Sequence, residues 1–123
     1  MHELTLAEGL ARELREIAIR HRASAIRDVF VSIGALSGIV QESFEFGFEI
    51  IKEQEPLLKE ANLHVEVDYP SYRCKGCGSI IEKSSVVPSQ CPKCKGLQFF
   101  PIGGDDLRLL RVELDLEEEM EDI

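Results

Sequence analysis

The chain has 123 residues, 44% of them hydrophobic, which suits one domain, or a small domain carrying a still smaller metal-stapled lobe, and excludes wholesale disorder. Its formal charge of -9 excludes the basic surface that phosphate-backbone binding requires and suits a cationic ligand or a basic partner. No apolar run is long enough to span a bilayer, and Met1-His2-Glu3 opens no secretory signal, so the expected compartment is the cytoplasm, where close cysteine pairs read as metal ligands before disulfides.

Thr5 to about Arg22 is expected to be a helix. Leu6, Leu10, Leu14 and Ile17 recur at helical spacing, and Thr5 with Glu8 forms a capping-box signature. The residues before Thr5 leave room for a short first strand. Asp28–Gly34 reads as a strand in which Val29, Val31 and Ile33 share one face, and Phe30 implies that the second face is partly covered. Gly34, Ser37 and Gly38 mark a loop. Gln41 to about Glu55 reads as a second helix built on Phe44, Phe48 and Ile51, with Phe46 and Ile50 adjacent. Gly47 inside it costs about 1 kcal/mol relative to Ala, a cost that close packing would offset. Leu63, Val65 and Val67 alternate with His64, Glu66 and Asp68 as a half-exposed strand closed by Pro70, and Leu107–Leu116 forms the last strand after a Gly103-Gly104 turn. Glu117 to Asp122 is an acidic, frayed tail. The order of elements predicts an α+β domain, a small mixed sheet flanked by two helices, with a zinc-ribbon lobe inserted before the closing strand.

The lobe rests on Cys74-x-x-Cys77 and Cys91-x-x-Cys94, separated by thirteen residues. Gly76, Gly78 and Pro92 favour tight turns, each of which aims two thiolates at one ion. Two facing turns complete a tetrahedron and leave no position for a catalytic water, so the expectation is structural zinc. Iron in a tetrahedral sulfur site is the chemical alternative. A lobe this short lacks a core of its own, and zinc supplies on the order of 10 kcal/mol to its folding. The ribbon by itself fits a nucleic-acid binder, an enzyme or an interaction module. Lys75, Lys83, Lys93 and Lys95 favour the first, and the lack of interleaved aromatics opposes it.

At the other end, the Met1 amine, the His2 amide nitrogen and the His2 imidazole form a chelating set, to which Glu3 adds a backbone nitrogen or a carboxylate. Planar nitrogen donors suit nickel(II) or copper(II). An ordinary unengaged terminus is the plain reading of the same residues. His21 reads as the end of a helix and His64 as the wet face of a strand.

Several segments together resemble one family. They are Met1-His2-Glu3-Leu4-Thr5-Leu6, the stretch Ile33-Gly34-Ala35-Leu36-Ser37-Gly38-Ile39-Val40, Glu42-Ser43-Phe44 through Phe48-Glu49, the two cysteine pairs with Cys91-Pro92-Lys93-Cys94, and Gly103-Gly104-Asp105-Asp106-Leu107-Arg108. In this order, over nearly the whole chain, they resemble the HypA/HybF nickel metallochaperones of hydrogenase maturation. Thr5 stands where the family often has Ser, and Lys95 where Gly is frequent.

The resemblance implies a nickel-binding domain over residues 1–70 plus 105–123 and a zinc-binding ribbon over 71–104. It implies that His2 is the essential nickel ligand, assisted by Met1 and Glu3. It further implies delivery of nickel to the large subunit of nickel-iron hydrogenase, with a hydrogenase-maturation GTPase as partner; some members also serve urease and its maturation proteins. No enzymatic activity, nucleic-acid partner or membrane partner is expected. The competing expectation is a zinc-ribbon adaptor that binds protein or nucleic acid.

Overall fold

A computed structural model describes residues 2–117. In chain order it contains α1 (Glu3–Arg20), β1 (Ala23–Gly34), α2 (Gln41–Lys52), a 3-10 turn (Pro56–Leu58), β2 (Asn62–Asp68), β3 (Ser71–Cys74), β4 (Ile80–Ile81), β5 (Phe99–Ile102) and β6 (Leu107–Leu116). One three-stranded sheet runs in the order β2-β1-β6 and a second in the order β4-β3-β5. Two compact units result: one takes Met1–Val31, Ile39–Val65 and Leu109–Ile123, the other Ser32–Gly38 and Glu66–Arg108.

In the first unit α1 packs against α2. The buried residues of α1 are Ala7, Leu10, Ala11, Leu14 and Ala18, so the contact stripe is narrower and more alanine-rich than the leucine pattern suggested. Small side chains let the helices approach closely. Gly47 does the same from the α2 side: a Cβ there would stand 3.3 Å from the Leu4 Cα, tight enough to push α1 away. Phe44 and Phe48 are fully buried and Ile51 nearly so. Each such aromatic or aliphatic side chain contributes about 1.5–3 kcal/mol through burial.

Several boundaries differ from the sequence expectations, each for a local reason. The first helix begins at Glu3 with His2 as its N-cap, and no side chain caps it. Thr5 therefore lies inside the first turn, no capping box forms, and among the described residues no strand precedes it. β1 starts five residues before the expected Asp28. Its burial follows a three-residue rhythm from Ala23 to Val29 and is then continuous from Val31 to Gly34, which hides the first half from a two-residue pattern. The second helix ends at Lys52 and not near Glu55, because Pro56 forces the preceding residue out of the helical region. Glu55 is extended (φ -122°, ψ 108°), and its carboxylate accepts from the Leu57 N–H.

Phe30, whose face was expected to be covered, lies between two partners. The His64 ring stacks on it with centroids 4.4 Å apart, and the Arg111 guanidinium sits 4.1 Å from its centroid. His64 Nε2 also lies 2.8 Å from a carboxylate oxygen of Asp28, and that contact is the main reason the Asp28 carboxyl is held below its ordinary range. None of the helices among the described residues is long and apolar enough to cross a membrane.

In the second unit β3 pairs antiparallel with both neighbours: Tyr72 faces Ile81 on one side and Pro101 on the other. Asp68 ties this unit together, with Lys83 Nζ at 2.8 Å and Arg108 at 3.5 Å from its two carboxylate oxygens. The Lys83 ammonium is the largest cause of the lowered Asp68 pKa. Gly34 and Gly104 pass backbone to backbone, with Leu36 N–H donating to the Gly104 carbonyl at 2.6 Å.

Candidate metal centre

The two cysteine pairs fold into two turns with the same hydrogen bonds. In the first, Cys74 N–H donates to the Ser79 carbonyl (2.8 Å) and Gly78 N–H to the Cys74 carbonyl (2.9 Å). In the second, Cys91 N–H donates to the Gly96 carbonyl (2.8 Å) and Lys95 N–H to the Cys91 carbonyl (2.8 Å). The fourth residue after each leading cysteine takes a left-handed conformation: Gly78 has φ 78° and Lys95 φ 66°. Glycine meets that demand without strain and lysine does not. Gly76 and Gly96 leave room for the sulfurs, since a Cβ on either would lie 3.2–3.6 Å from the Sγ atoms of Cys74 and Cys94.

The turns bring Cys74, Cys77, Cys91 and Cys94 together, with all four Sγ atoms within 4.8 Å of one another and no disulfide among them. Cys74 and Cys94 are 3.5 Å apart, and Cys77 and Cys91 3.7 Å. Zinc–sulfur bonds of about 2.3 Å give a tetrahedral sulfur–sulfur edge of about 3.8 Å, so the closest pairs already match the edge of a tetrahedral thiolate centre. Amide donors support the charge that such a centre carries: Gly76 N–H reaches Cys74 Sγ at 3.3 Å, and the N–H groups of Lys93 and Cys94 reach Cys91 Sγ at 3.4 and 3.5 Å. Cys74 and Cys91 are buried, while Cys77 and Cys94 face outward.

Proton affinities within the cluster diverge. The Ser79 hydroxyl, 3.0 Å from Cys77 Sγ, and the Ser79 amide lower that thiol to about 6. The Cys94 and Lys93 amides lower Cys91. For Cys94 the Gly96 amide favours the thiolate, but the adjacent sulfurs of Cys74 and Cys77 oppose it more strongly, and the thiol is pushed up to about 12. Four sulfurs this close do not all ionise without a cation between them, and a divalent soft-to-borderline ion removes the conflict. The donor set and the spacing thus fit zinc and the zinc-ribbon lobe read from the sequence.

The residues singled out at the amino terminus are placed differently. Met1 lies outside the described residues. His2 is exposed and acts as the α1 N-cap, its carbonyl accepting from Leu6 N–H at 3.1 Å. Position in the helix leaves the amides of His2 and Glu3 without an intrahelical acceptor. One oxygen of the Glu3 carboxylate accepts from Val40 N–H at 3.0 Å. Val40 is the N-cap of α2, so this contact pins the first turn of α1 to the start of α2. The Val40 amide is also the main cause of the lowered Glu3 pKa. Sequence reasoning missed Val40, because a backbone amide 37 positions away leaves no trace in side-chain chemistry. His21 caps the C-terminus of α1, and His64 is occupied by Asp28 and Phe30. Among the described residues, the cysteine quartet is the one group of three or more metal-ligating side chains close enough to share an ion.

Comparison with known proteins follows the same lines. Residues 1–114 match the family model described as hydrogenase/urease nickel incorporation, metallochaperone, hypA. The hydrogenase maturation factor HypA of Campylobacter jejuni is 35% identical over 114 residues, covering 91% of this chain and 97% of the relative. That of Aquifex aeolicus is 31% identical over 117 residues, covering 95% and 100%. The solution structure of the Ni metallochaperone HypA from Helicobacter pylori superposes with a TM-score of 0.68 at 27% identity, covering 95% of this chain and all of the other. A second solution structure of HypA reaches 0.70 at 27% identity, covering 95% and 98%. With the cysteine cluster, the order of elements and these relatives in agreement, the chain belongs to the HypA family of hydrogenase maturation metallochaperones for nickel incorporation.

Proposed function

We propose that this chain carries Ni(II) at its amino terminus and delivers it to the large subunit of nickel-iron hydrogenase, while Zn(II) in the cysteine cluster serves as a resident structural ion. The Met1 amine, the His2 amide nitrogen and imidazole, and Glu3 form the nickel site. Cys74, Cys77, Cys91 and Cys94 hold zinc. In this reading residues 1–70 with 105–123 form the nickel domain and 71–104 the zinc ribbon. The chain acts in the cytoplasm beside a maturation GTPase and performs no catalysis of its own; urease maturation is a second outlet for the same cargo.

The observation that carries the reading is the placement of His2. It stands exposed at the head of α1, next to two amides that have no backbone acceptor within the helix, the Glu3 amide turning to its own carboxylate. Deprotonating those amides for nickel therefore breaks no helical hydrogen bond. The Glu3–Val40 contact holds the donors in place before any ion arrives, which lowers the ordering cost of chelation. The positive end of the α1 dipole works against a bound cation by about 0.3–1 kcal/mol. That penalty favours a cargo site, which must release its ion, over a storage site.

The test is nickel titration by calorimetry and absorbance of untagged, zinc-loaded protein beside His2→Ala. Tight binding lost in the variant, with zinc retained, is the expected result. Equal binding by both proteins refutes the terminal site. Binding by neither, together with salt-dependent nucleic-acid binding, would support the ribbon-adaptor alternative favoured by Lys75, Lys83, Lys93 and Lys95.

A further inference from the structure

An amphipathic helix normally presents polar residues to water, and α2 departs from this. Its inner face is complete with Phe44, Gly47, Phe48 and Ile51 buried. Phe46 and Ile50, one turn apart on another face, remain 68% and 37% exposed. At 3.6 residues per turn, Ile50 falls between Phe46 and Gly47 around the helix. Gly47 is where the first turn of α1 comes close: a Cβ there would lie 3.5 Å from Leu4 Cδ1, and Leu4 is itself 46% exposed. Leu4, Ile50 and Phe46 thus follow one another along one apolar strip within the first unit. A cavity of about 420 Å³ in the same unit is lined by Glu8, Ala11, Arg12, Arg15, Ile51 and Gln54 among others.

Charge decides what fits there. At the same spacing Glu42, Glu45, Glu49 and Glu53 line the Phe46 edge of the strip, on the side away from Leu4, with Lys52 as the one cation among them. Lys52 is spent on Glu49, at 3.6 Å, and Arg15, which lines the cavity, is spent on Glu55 at 3.0 Å. An apolar strip with an acidic rim repels anionic lipid and nucleic acid. It also repels the same face of a second copy, since rim would meet rim.

We propose that this strip is a docking surface for a basic amphipathic polypeptide helix, whose large apolar side chains lie along Leu4, Ile50 and Phe46 while its Lys and Arg residues meet the glutamates, in the helix-in-groove mode. Leu4 lies two residues after His2, so the docked helix rests beside the terminal donors. That purpose, though not the binding itself, depends on the nickel-carrier reading.

The test uses a fluorescein-labelled peptide of Leu and Lys patterned as an amphipathic helix of about five turns, and its Leu/Glu counterpart. Fluorescence anisotropy is measured against the nickel-free, zinc-loaded full chain. The Leu/Lys peptide is expected to bind and the Leu/Glu peptide not to. Phe46→Ser/Ile50→Ser should weaken binding at least ~tenfold, as loss of two anchor contacts does. Glu49→Lys/Glu53→Lys, which keeps the apolar strip, should weaken it similarly. Val86→Ser/Val87→Ser, at 68% and 66% exposed sites in the other unit, should leave it unchanged. Equal binding by all variants, or none by wild type, overturns the proposal. So does a dimer seen by sedimentation that Phe46→Ser/Ile50→Ser dissolves, which would assign the strip to a second copy. Nickel titration of wild type beside His2→Ala separates the two readings: no nickel binding by either, with the peptide effects intact, refutes the carrier and leaves the docking surface standing.

Discussion

Gly34→Ala tests the closest backbone crossing in the second unit. A Cβ at position 34 would stand 2.7 Å from the Asp105 nitrogen and closer still to the Gly104 carbonyl group. Ordinary contact begins near 3.5 Å, so the chain must open by roughly an ångström. The atoms it meets are backbone, which cannot swing aside as a side chain does. Two short hydrogen bonds flank the point, Gly34 N–H to the Asp106 carbonyl at 2.7 Å and Leu36 N–H to the Gly104 carbonyl at 2.6 Å, and opening the crossing weakens both. Overpacking costs about 1–3 kcal/mol, and two weakened hydrogen bonds add about 1–2 kcal/mol. Reduced unfolded-state entropy returns about 0.4–1 kcal/mol. The net expectation is a loss of about 3 kcal/mol in urea unfolding of zinc-loaded protein. Gly9→Ala is the matched control: it lies within α1, and its Cβ would meet nothing closer than the end of the Arg12 side chain at 3.7 Å. That variant should gain about 1 kcal/mol from helix propensity. A loss below ~0.5 kcal/mol for Gly34→Ala, within the range of an ordinary surface change, or the same sign for both variants, would refute the reasoning.

Three further outcomes are expected. Lys95→Gly relieves a left-handed residue (φ 66°) at a strain of about 1–2 kcal/mol, less the greater chain entropy of glycine, and should raise the thermal midpoint of the zinc-loaded protein; a lower midpoint would count against the strain. Cys94 in the metal-free cluster is held protonated at about 12, so zinc must displace at least that proton, and apparent zinc affinity measured against a competing chelator should fall about tenfold or more per unit of decreasing pH. Below about 6 the fall should steepen as Cys77 takes up its own proton, whereas affinity independent of pH would mean the thiols are already ionised. Glu3→Pro removes the amide proton at the first helical position, where proline is tolerated, so nickel affinity should collapse while helicity by circular dichroism is kept; Glu3→Gln retains the amide and an acceptor for Val40 N–H, and nickel binding by Glu3→Pro equal to that by Glu3→Gln would exclude the Glu3 nitrogen as a donor.

What the sequence made legible follows from the range of the interactions involved. Leu107–Leu116 was readable to its ends because Leu110, Val112, Leu114 and Leu116 alternate with charged residues and glycines stand before the strand. The inner face of α2 was readable because Phe44, Phe48 and Ile51 recur at helical spacing, and all are buried. The cysteine centre was readable because each turn encodes its own geometry within six residues. Contacts that cross the chain were not. Glu3 reaches Val40, His64 and Arg111 sandwich Phe30, and Asp68 gathers Lys83 and Arg108. In each case the side chains look like ordinary surface residues until folding places their partner. The start of α1 shows the same limit: Thr5 and Glu8 have the chemistry of a cap, but the Glu3–Val40 contact lies two residues ahead of it, and the helix begins there.

The two proposed metal sites ask opposite things of the chain, and the local structure differs accordingly. The cysteine cluster is formed by two turns that meet face to face, with two of its sulfurs buried and amide donors on Cys74 and Cys91. An ion there loses four bonds and strands four mutually repelling thiolates when it leaves. Its tetrahedral sulfur set favours zinc by geometry, and nickel would have to give up its preferred planar nitrogen field to enter. The amino-terminal donors belong to one chain end, joined in sequence, so a competing ligand can replace them one at a time. The same helix start that offers amides with no backbone acceptor in the helix would also place its positive dipole end toward an ion bound there. Selectivity between the two ions thus comes from donor type and geometry, since intrinsic affinities for nickel and zinc lie close together. On the proposed reading exchange rate follows enclosure: the ribbon would retain its ion, and the terminus, beside the apolar strip proposed to take a basic partner, would give its ion up.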